Sequence, residues 1–193
     1  MGVLEKRFDE LLALIPEFKS HSKSMIEAAA VTISDAFARG NKVLICGNGG
    51  SAADSQHFAA EFVNAFSREL NRKALPAIAL STDTSVITSI ANDFSYANIF
   101  SRQVEAYGIQ GDILIALTTS GSSANCINAI ASAKSQGLIS IVFTKVNSEA
   151  ARLADLTVEV PSDNTQHIQG CHMLAYHVIV ELVENKLFGG PSL

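Results

Sequence analysis

The stretch "LICGNGGSAADSQHFAAEF", residues 44–62, joins an apolar run to a glycine-rich turn and then to a helical pattern. The apolar run has the length of a buried β-strand, and the turn is rich in residues that break regular structure. Such a strand–turn–helix unit is typical of a parallel α/β sheet. The helical part carries His57 and Glu61 four residues apart, which places both side chains on one helix face.

The same unit recurs along the rest of the chain. Apolar runs that predict strands occupy residues 42–46, 75–80, 112–118, 139–144 and 156–160. A polar or glycine-containing turn and then a helical pattern follow each run. Consecutive units of this kind predict a five-stranded parallel sheet with helices on both faces, which is a three-layer α/β fold.

Helices are predicted at both ends of the chain. Apolar residues at helical spacing predict one helix over residues 3–19 and a second from about residue 24 to 39, which stops at Gly40. A long helix is predicted from about Thr165 to Leu187. Since no linker, repeat or low-complexity tract interrupts the pattern, we expect one domain over residues 1–193. It comprises an N-terminal helical pair (1–40) and an α/β core (41–193).

Composition narrows the classes of function. The chain has 193 residues, 48% of them apolar, a net charge of −5 and a pI near 5.5. An acidic balance argues against a broad nucleic-acid or membrane-surface footprint, and no apolar run is long enough for a membrane span. Cys46, Cys126 and Cys171 lack metal-finger spacing. We expect buried free thiols, no signal peptide and a reducing, cytoplasmic setting.

The segment "TTSGSSAN", residues 118–125, surrounds one glycine with hydroxyl side chains at the start of a predicted helix. Helix N-termini present unpaired amides and a positive partial charge, and hydroxyls add further donors, so the segment suits a phosphate monoester. Helix capping by Ser122 or Ser123 is the alternative. Because the segment holds more hydroxyls than a cap needs, we favour phosphate. Both this turn and "GNGGS" follow predicted strands, at the edge where such sheets bind ligands.

A dinucleotide is a weaker interpretation of the first turn. "GNGGSA", residues 47–52, matches the G-x-G-x-x-A pattern of nucleotide-binding folds. However, the acidic residue expected at the end of the second strand arrives late, as Asp83. A second anion-binding turn is also unnecessary for a dinucleotide.

Two helices carry the candidates for chemistry. His57 and Glu61 have apolar neighbours, and a carboxylate in such surroundings has a raised pKa and can act as a base. A surface ion pair is the alternative. The last helix holds His167, Gln169, His172 and His177. Helical phase does not choose between His172 and His177, and a histidine satisfied within a helix interface is the alternative for either.

Together these segments resemble the sugar isomerase (SIS) family and, within it, the phosphoheptose isomerases. The matching segments are "GNGGSAADSQHFAAEF", "LSTDTSVITSIANDFSYANIFSRQVEA", "TTSGSSAN" and "IQGCHMLAYH". The resemblance covers nearly the whole chain in family order. It implies a three-layer SIS domain with a flavodoxin-like sheet and a homotetramer, and the acidic composition adds the expectation of no nucleic-acid or membrane partner. It also implies an aldose–ketose isomerase that interconverts sedoheptulose 7-phosphate and D-glycero-D-manno-heptose 7-phosphate through a cis-enediol, for bacterial lipopolysaccharide or capsule heptose.

The resemblance also implies roles for individual residues. Glu61 is then the base between C1 and C2, and His177 is its proton-transfer partner, which selects His177 over His172. A zinc ion is implied at His57, Glu61, Gln169 and His177. Because metal binding lowers the basicity of a carboxylate, the two roles of Glu61 compete. The implied substrate-binding residues are Asn48, Gly49, Gly50, Ser51, Glu61, Asn92, Asp93, Thr118, Thr119, Ser120, Ser123 and Gln169.

Several positions depart from the family pattern. Thr118 replaces a common serine, and His167 and Gly170 replace an arginine and a glutamate. Ala65 stands where arginine is frequent, and residues 72–74 read "RKA" where "RPG" is usual. These departures bear on the identity of the sugar more than on the reaction type, so an isomerase of another sugar phosphate is an alternative.

Two further alternatives are non-catalytic. One is an SIS binding module that resembles the replication-initiator-associating factor, which lacks the glutamate and the last histidine. This chain retains both, as Glu61 and His177. The other is a sugar-phosphate-sensing SIS domain of a regulator, which we rank lower because the chain has no DNA-binding segment.

Overall fold

The N-terminal extension is one helix in the computed structural model, which describes residues 2–67 and 70–189. Helix α1 spans Val3–Ala38 without interruption, in place of the two helices predicted. The polar stretch 20–23 contains no glycine or proline that would end a helix. Within it, Ser22 is buried and its hydroxyl donates to the carbonyl oxygen of Glu159 over 2.6 Å. The polar break in the pattern therefore marks a contact with the sheet.

The sheet has the predicted strands and connectivity. Its strand order is β2-β1-β3-β4-β5, and every adjacent pair is parallel. This flavodoxin-like order confirms the expected fold class. The strands are β1 Val43–Gly47, β2 Ala77–Ala79, β3 Ile113–Leu117, β4 Ile139–Lys145 and β5 Leu156–Val160.

Helices cover both faces of the sheet, as a three-layer fold requires. Successive residues of β1 point to opposite faces, so Val43 and Ile45 enter one core while Leu44 and Cys46 enter the other. The later helices are α2 Gly50–Val63, α3 Thr84–Asp93, α4 Ser101–Tyr107, α5 Ala124–Ser135, α6 Glu149–Leu153 and α7 Thr165–Phe188, with a 3₁₀ turn at Tyr96–Asn98. The first core is closed by α1, α2 and α7, and the second by α3, α4, α5 and α6.

The strand order creates a crevice at one place on the sheet edge. The chain moves from β1 outward to β2 and then returns to β3 on the other side of β1. At such a switch point the two connections diverge, and ligands bind between them. Gly47 pairs with Leu117 in the register of β1 and β3, so the turns that follow both strands begin side by side. The two turns singled out in the sequence therefore meet.

Cys46, Cys126 and Cys171 are buried free thiols, as expected. Burial raises the pKa of the Cys171 thiol to about 11, which keeps it protonated and unreactive. Among the helices of residues 2–67 and 70–189, none has both the length and the apolar character that crossing a membrane requires.

Candidate active site

The hydroxyl-rich turn and the glycine-rich turn enclose a small polar cleft of about 70 Å³. Ser123 is the N-cap residue of α5, yet its side chain makes no capping hydrogen bond with the helix. The capping alternative therefore does not account for this hydroxyl, which faces the cleft. The cleft has the donors and the position at a helix N-terminus that a phosphate group needs. Its lining residues are Asn48, Ser51, Leu117, Thr118, Thr119, Ser120 and Ser123.

The Asn48 amide is held in one orientation at the rim of this cleft. Asn48 and Asn125 exchange two hydrogen bonds, with Nδ2-to-Oδ1 distances of 2.8 and 2.9 Å. The hydroxyl of Tyr96 donates to the same Asn48 Oδ1 over 3.2 Å. Since the oxygen then has two donors, the amide cannot flip without losing them. Asn125 and Tyr96 were not among the predicted site residues.

A second polar cluster lies where α2 packs against α7. His57, Glu61 and His177 each offer a ligand atom, and these atoms lie within 4.8 Å of one another. His57 Nε2 is 3.0 Å from Glu61 Oε1. The rings of His57 and His177 meet edge to face, with centroids 5.0 Å apart. The His57–Glu61 pair therefore has a third partner from another helix, which the surface ion-pair alternative does not include.

The environment of His177 favours its neutral form. Burial lowers the pKa of His177, the nearby His57 lowers it further, and Glu61 opposes both effects. A neutral imidazole has a lone pair with which to accept a proton or bind a metal ion. The lowered pKa of His177 thus favours the form that can accept a proton or bind a metal ion.

Gln169, the fourth predicted metal ligand, reaches α2 through a buried carboxylate. Its Nε2 donates to Asp54 Oδ2 over 2.8 Å. Burial raises the pKa of Asp54, while the hydrogen bond from Gln169 and the proximity of His57 lower it. A Cβ atom on Gly50 would lie 2.5 Å from Gln169 Nε2, so the approach of Gln169 depends on a glycine at that position.

Asp54 was not among the predicted site residues, although its spacing in the sequence points to it. Asp54, His57 and Glu61 have spacings of three and four residues, which place all three on one face of α2. Their solvent exposure differs, because Asp54 is buried and His57 is exposed.

The structure separates the two histidines that helical phase left open. His177 lies in the cluster with His57 and Glu61. His172 is fully buried against the ring of Phe143, with centroids 5.8 Å apart. Burial lowers the pKa of His172 to about 4, an effect that the nearby Thr144 backbone partly offsets. Within the described residues, neither His172 ring nitrogen is in hydrogen-bonding geometry with a partner.

Other predicted residues lie outside the cleft. Asn92 and Asp93 are exposed at the end of α3, where Asn92 Nδ2 donates to Asp93 Oδ1 over 2.8 Å. They do not line the cleft, and their role in binding stays a prediction.

Gly49 is the N-cap residue of α2, directly after the cleft residue Asn48, and has a φ of 56°. Asp83 caps α3, where its carboxylate accepts a hydrogen bond from the Val86 amide. The acidic residue that a dinucleotide site would need is therefore engaged in helix capping.

The departures from the family pattern have identifiable surroundings. His167 is buried between α1 and α7, with its Nε2 3.7 Å from Glu10 Oε2. Gly170 is exposed, and a Cβ atom there would meet nothing within 4 Å among residues 2–67 and 70–189. Ala65 lies just after α2 in the connection to β2, partly exposed.

Comparison with known proteins identifies the family of this chain. A family model described as the SIS domain matches residues 7–145. The phosphoheptose isomerase of Clostridium acetobutylicum is 50% identical over 165 residues, covering 85% of this chain and 83% of that protein. The phosphoheptose isomerase of Thermodesulfovibrio yellowstonii is 46% identical over 190 residues, covering 98% and 94%.

Solved structures of phosphoheptose isomerases superpose on this chain over most of its length. A phosphoheptose isomerase from Francisella tularensis superposes with a TM-score of 0.90 at 33% identity, covering 96% of this chain and 100% of that chain. The enzyme from Neisseria gonorrhoeae superposes with a TM-score of 0.87 at 34% identity, covering 94% and 97%. The chain therefore belongs to the SIS-domain family and, within it, to the phosphoheptose isomerases.

Proposed function

We propose that this protein is an aldose–ketose isomerase that interconverts sedoheptulose 7-phosphate and D-glycero-D-manno-heptose 7-phosphate. The observation that carries the proposal is the arrangement of two sites along α2. Ser51 lines the phosphate-sized cleft, and His57 begins the His–Glu–His cluster six residues later. Six residues of helix span about 9 Å. This separation suits a substrate whose phosphate and carbonyl lie at opposite ends.

The chain's own residues supply the proton transfers of the proposed reaction. Glu61 removes a proton from one carbon of the C1–C2 pair and returns it to the other, through a cis-enediol. His177, whose pKa is lowered by burial and by the nearby His57, moves protons at O1 and O2. The hydroxyl-rich turn holds the distant phosphate, which orients the reacting carbons against Glu61.

The His–Glu–His cluster supports one zinc ion per subunit. Imidazole nitrogens and carboxylate oxygens bind zinc at about 2.0–2.2 Å. Three such donors within 4.8 Å of one another are therefore close to the spacing of one coordination sphere. Gln169 is the proposed fourth ligand, through its amide oxygen. A bound zinc ion supplies Lewis-acid polarisation of the substrate carbonyl.

The protein's oligomeric state and cellular location are also part of the proposed function. Large apolar side chains are exposed on α1 and α7, and a groove of about 330 Å³ runs between these helices. This surface supports a homotetramer built from copies of one domain over residues 1–193. We place the enzyme in the cytoplasm, in synthesis of heptose for lipopolysaccharide or capsule. The exposed side chains include Leu4, Phe8, Leu12, Leu174 and Val178.

A coupled assay of the purified protein against a panel of ketose and aldose phosphates tests the function. We expect the highest kcat/KM for sedoheptulose 7-phosphate and almost no turnover of sedoheptulose. Faster turnover of a shorter sugar phosphate would reassign the substrate. Sugar-phosphate binding without turnover of any panel member would favour the binding-module alternative.

Two physical measurements test the remaining parts of the proposal. Elemental analysis of protein purified without chelator is expected to find about one zinc per subunit, and full activity in excess EDTA would exclude a role for the metal. Light scattering at micromolar protein is expected to give about four times the chain mass, whereas a monodisperse mass near 20.5 kDa would exclude the tetramer.

A further inference from the structure

Tyr176 lies directly behind His57 and has no role in the site described above. Its side chain is fully buried, and its hydroxyl oxygen is 2.9 Å from His57 Nδ1. The Tyr176 ring stacks on Phe58, with centroids 4.9 Å apart and an interplanar angle of 18°. The ring also meets His177 edge to face at 4.8 Å. Packing on these sides fixes where the hydroxyl points.

When His57 is neutral, the hydrogen bonds around its ring define the proton arrangement of the metal-free site. Glu61 Oε1, 3.0 Å from His57 Nε2, belongs to a carboxylate and can only accept. His57 Nε2 therefore carries the ring proton. Nδ1 of the neutral ring is then an acceptor, and the Tyr176 hydroxyl donates to it.

A metal ion on the cluster demands the opposite arrangement. Because Nδ1 faces Tyr176, Nε2 is the His57 nitrogen that faces Glu61 and the cluster. A ligating nitrogen must offer a lone pair, so the proton of the neutral ring moves to Nδ1. Nδ1 then donates, and its partner must accept. A hydroxyl can serve in both arrangements, whereas a carboxylate or a carbonyl oxygen accepts only.

We propose that Tyr176 is a positioning residue for His57: its hydroxyl donates to Nδ1 in the metal-free site and accepts from Nδ1 when His57 binds a metal ion. The inference rests on the metal site of the proposed function and adds the group that orients its most exposed ligand.

Zinc affinity of Tyr176→Phe tests this inference without reference to turnover. Phenylalanine retains the ring that packs on Phe58 and removes only the hydroxyl. Loss of a partner that orients a metal-binding histidine costs about 10- to 100-fold in metal affinity. We expect a loss of that size when metal-free protein is titrated with zinc against a chelating dye. Tyr107→Phe is the matched control, because Tyr107 ends α4, which packs on the other face of the sheet from α2 and α7, and its affinity should equal that of the wild type.

The outcomes separate the two proposals. Wild-type zinc affinity in a folded Tyr176→Phe protein would overturn the role of Tyr176 and leave the metal site intact. A wild-type protein that binds no zinc would overturn the metal site and this inference with it. Melting temperatures of all three proteins establish folding.

A measurement on the wild type keeps the inference testable if Tyr176→Phe does not fold. Nitrogen-15 NMR of the His57 ring is expected to show the proton on Nε2 in metal-free protein and on Nδ1 after zinc addition. A zinc-loaded protein whose His57 proton remains on Nε2 would overturn the inference.

Discussion

Arg72 and Glu184 form an ion pair that solvent barely reaches. Arg72 Nε donates to Glu184 Oε1 over 2.6 Å, and the two side chains are 0% and 2% exposed. The same guanidinium donates to the carbonyl oxygens of Glu61 and Phe62, at the end of α2. The pair therefore connects α7 to the helix turn that presents Glu61.

Replacement of Glu184 by leucine is expected to destabilise the fold strongly. Removal of one partner leaves the Arg72 charge buried without compensation, which costs about 3–5 kcal/mol. Urea denaturation followed by circular dichroism measures the change in the free energy of unfolding. A double variant with Arg72→Met and Glu184→Leu no longer contains the buried charge. Its loss in the free energy of unfolding should therefore be smaller than the sum of the losses of the two single variants. A single-variant loss below about 1 kcal/mol would contradict the buried-pair interpretation.

Ser120→Ala and Ser123→Ala are expected to weaken substrate binding while the fold is retained. A hydrogen bond to a charged group contributes about 1–3 kcal/mol, which corresponds to about 5- to 150-fold in KM. Steady-state kinetics with the heptose phosphate measures the effect. Ser122→Ala is the control, since Ser122 belongs to the same turn but does not line the cleft. Equal effects at all three serines would argue against phosphate binding by this cleft.

Glu61→Gln and His177→Gln are expected to lower kcat by about 10²- to 10⁴-fold each, because each removes a general acid or base. The two losses should not multiply in the double variant, since the groups act on the same proton transfer. In deuterated water the product of the wild-type enzyme should carry deuterium at the carbon that accepts the proton. Near-normal turnover by Glu61→Gln would exclude Glu61 as the base.

Gly121→Ala is expected to distort the hydroxyl-rich turn that is proposed to bind phosphate. Gly121 has a φ of 67°, and an added Cβ would collide with Ser148 and lie 2.6 Å from Thr144 Oγ1. The left-handed conformation alone costs about 1–2 kcal/mol with a side chain. Gly40→Ala is the control, because Gly40 has a φ of 85° with open space around it. Both variants should lose stability in thermal unfolding, but a rise in KM is expected for Gly121→Ala alone.

His172 is expected to make stability fall in mild acid. Its pKa is lowered to about 4 in the folded protein, against about 6.5 in the unfolded chain, so the unfolded chain takes up a proton first as pH falls. The part of the free energy of unfolding that depends on neutral His172 is present in full above about pH 6.5 and is lost progressively as the pH falls toward 4. Denaturation midpoints at pH 7, 5.5 and 4.5 should fall more steeply for the wild type than for His172→Leu. Parallel pH dependences would contradict the assignment.

The local features of this protein follow from short-range patterns in the chain. Apolar runs followed by turns are enough to predict the five strands, because a parallel sheet buries each strand on both faces. The pairing of His57 with Glu61 follows from the geometry of one helix turn. The hydroxyl-rich turn at residues 118–123 likewise predicts a phosphate-binding cleft at a helix N-terminus.

Contacts between distant segments required the folded chain. Helical phase left His172 and His177 equivalent, and only the packing of α7 against α2 directs His177 to the cluster and His172 into the core. The bonds from Gln169 to Asp54 and from Arg72 to Glu184 join residues more than a hundred positions apart. The buried contact of Ser22 in α1 with Glu159 in β5 likewise joins distant parts of the chain. Such pairings depend on how helices pack on the sheet, which no periodicity within a single helix encodes.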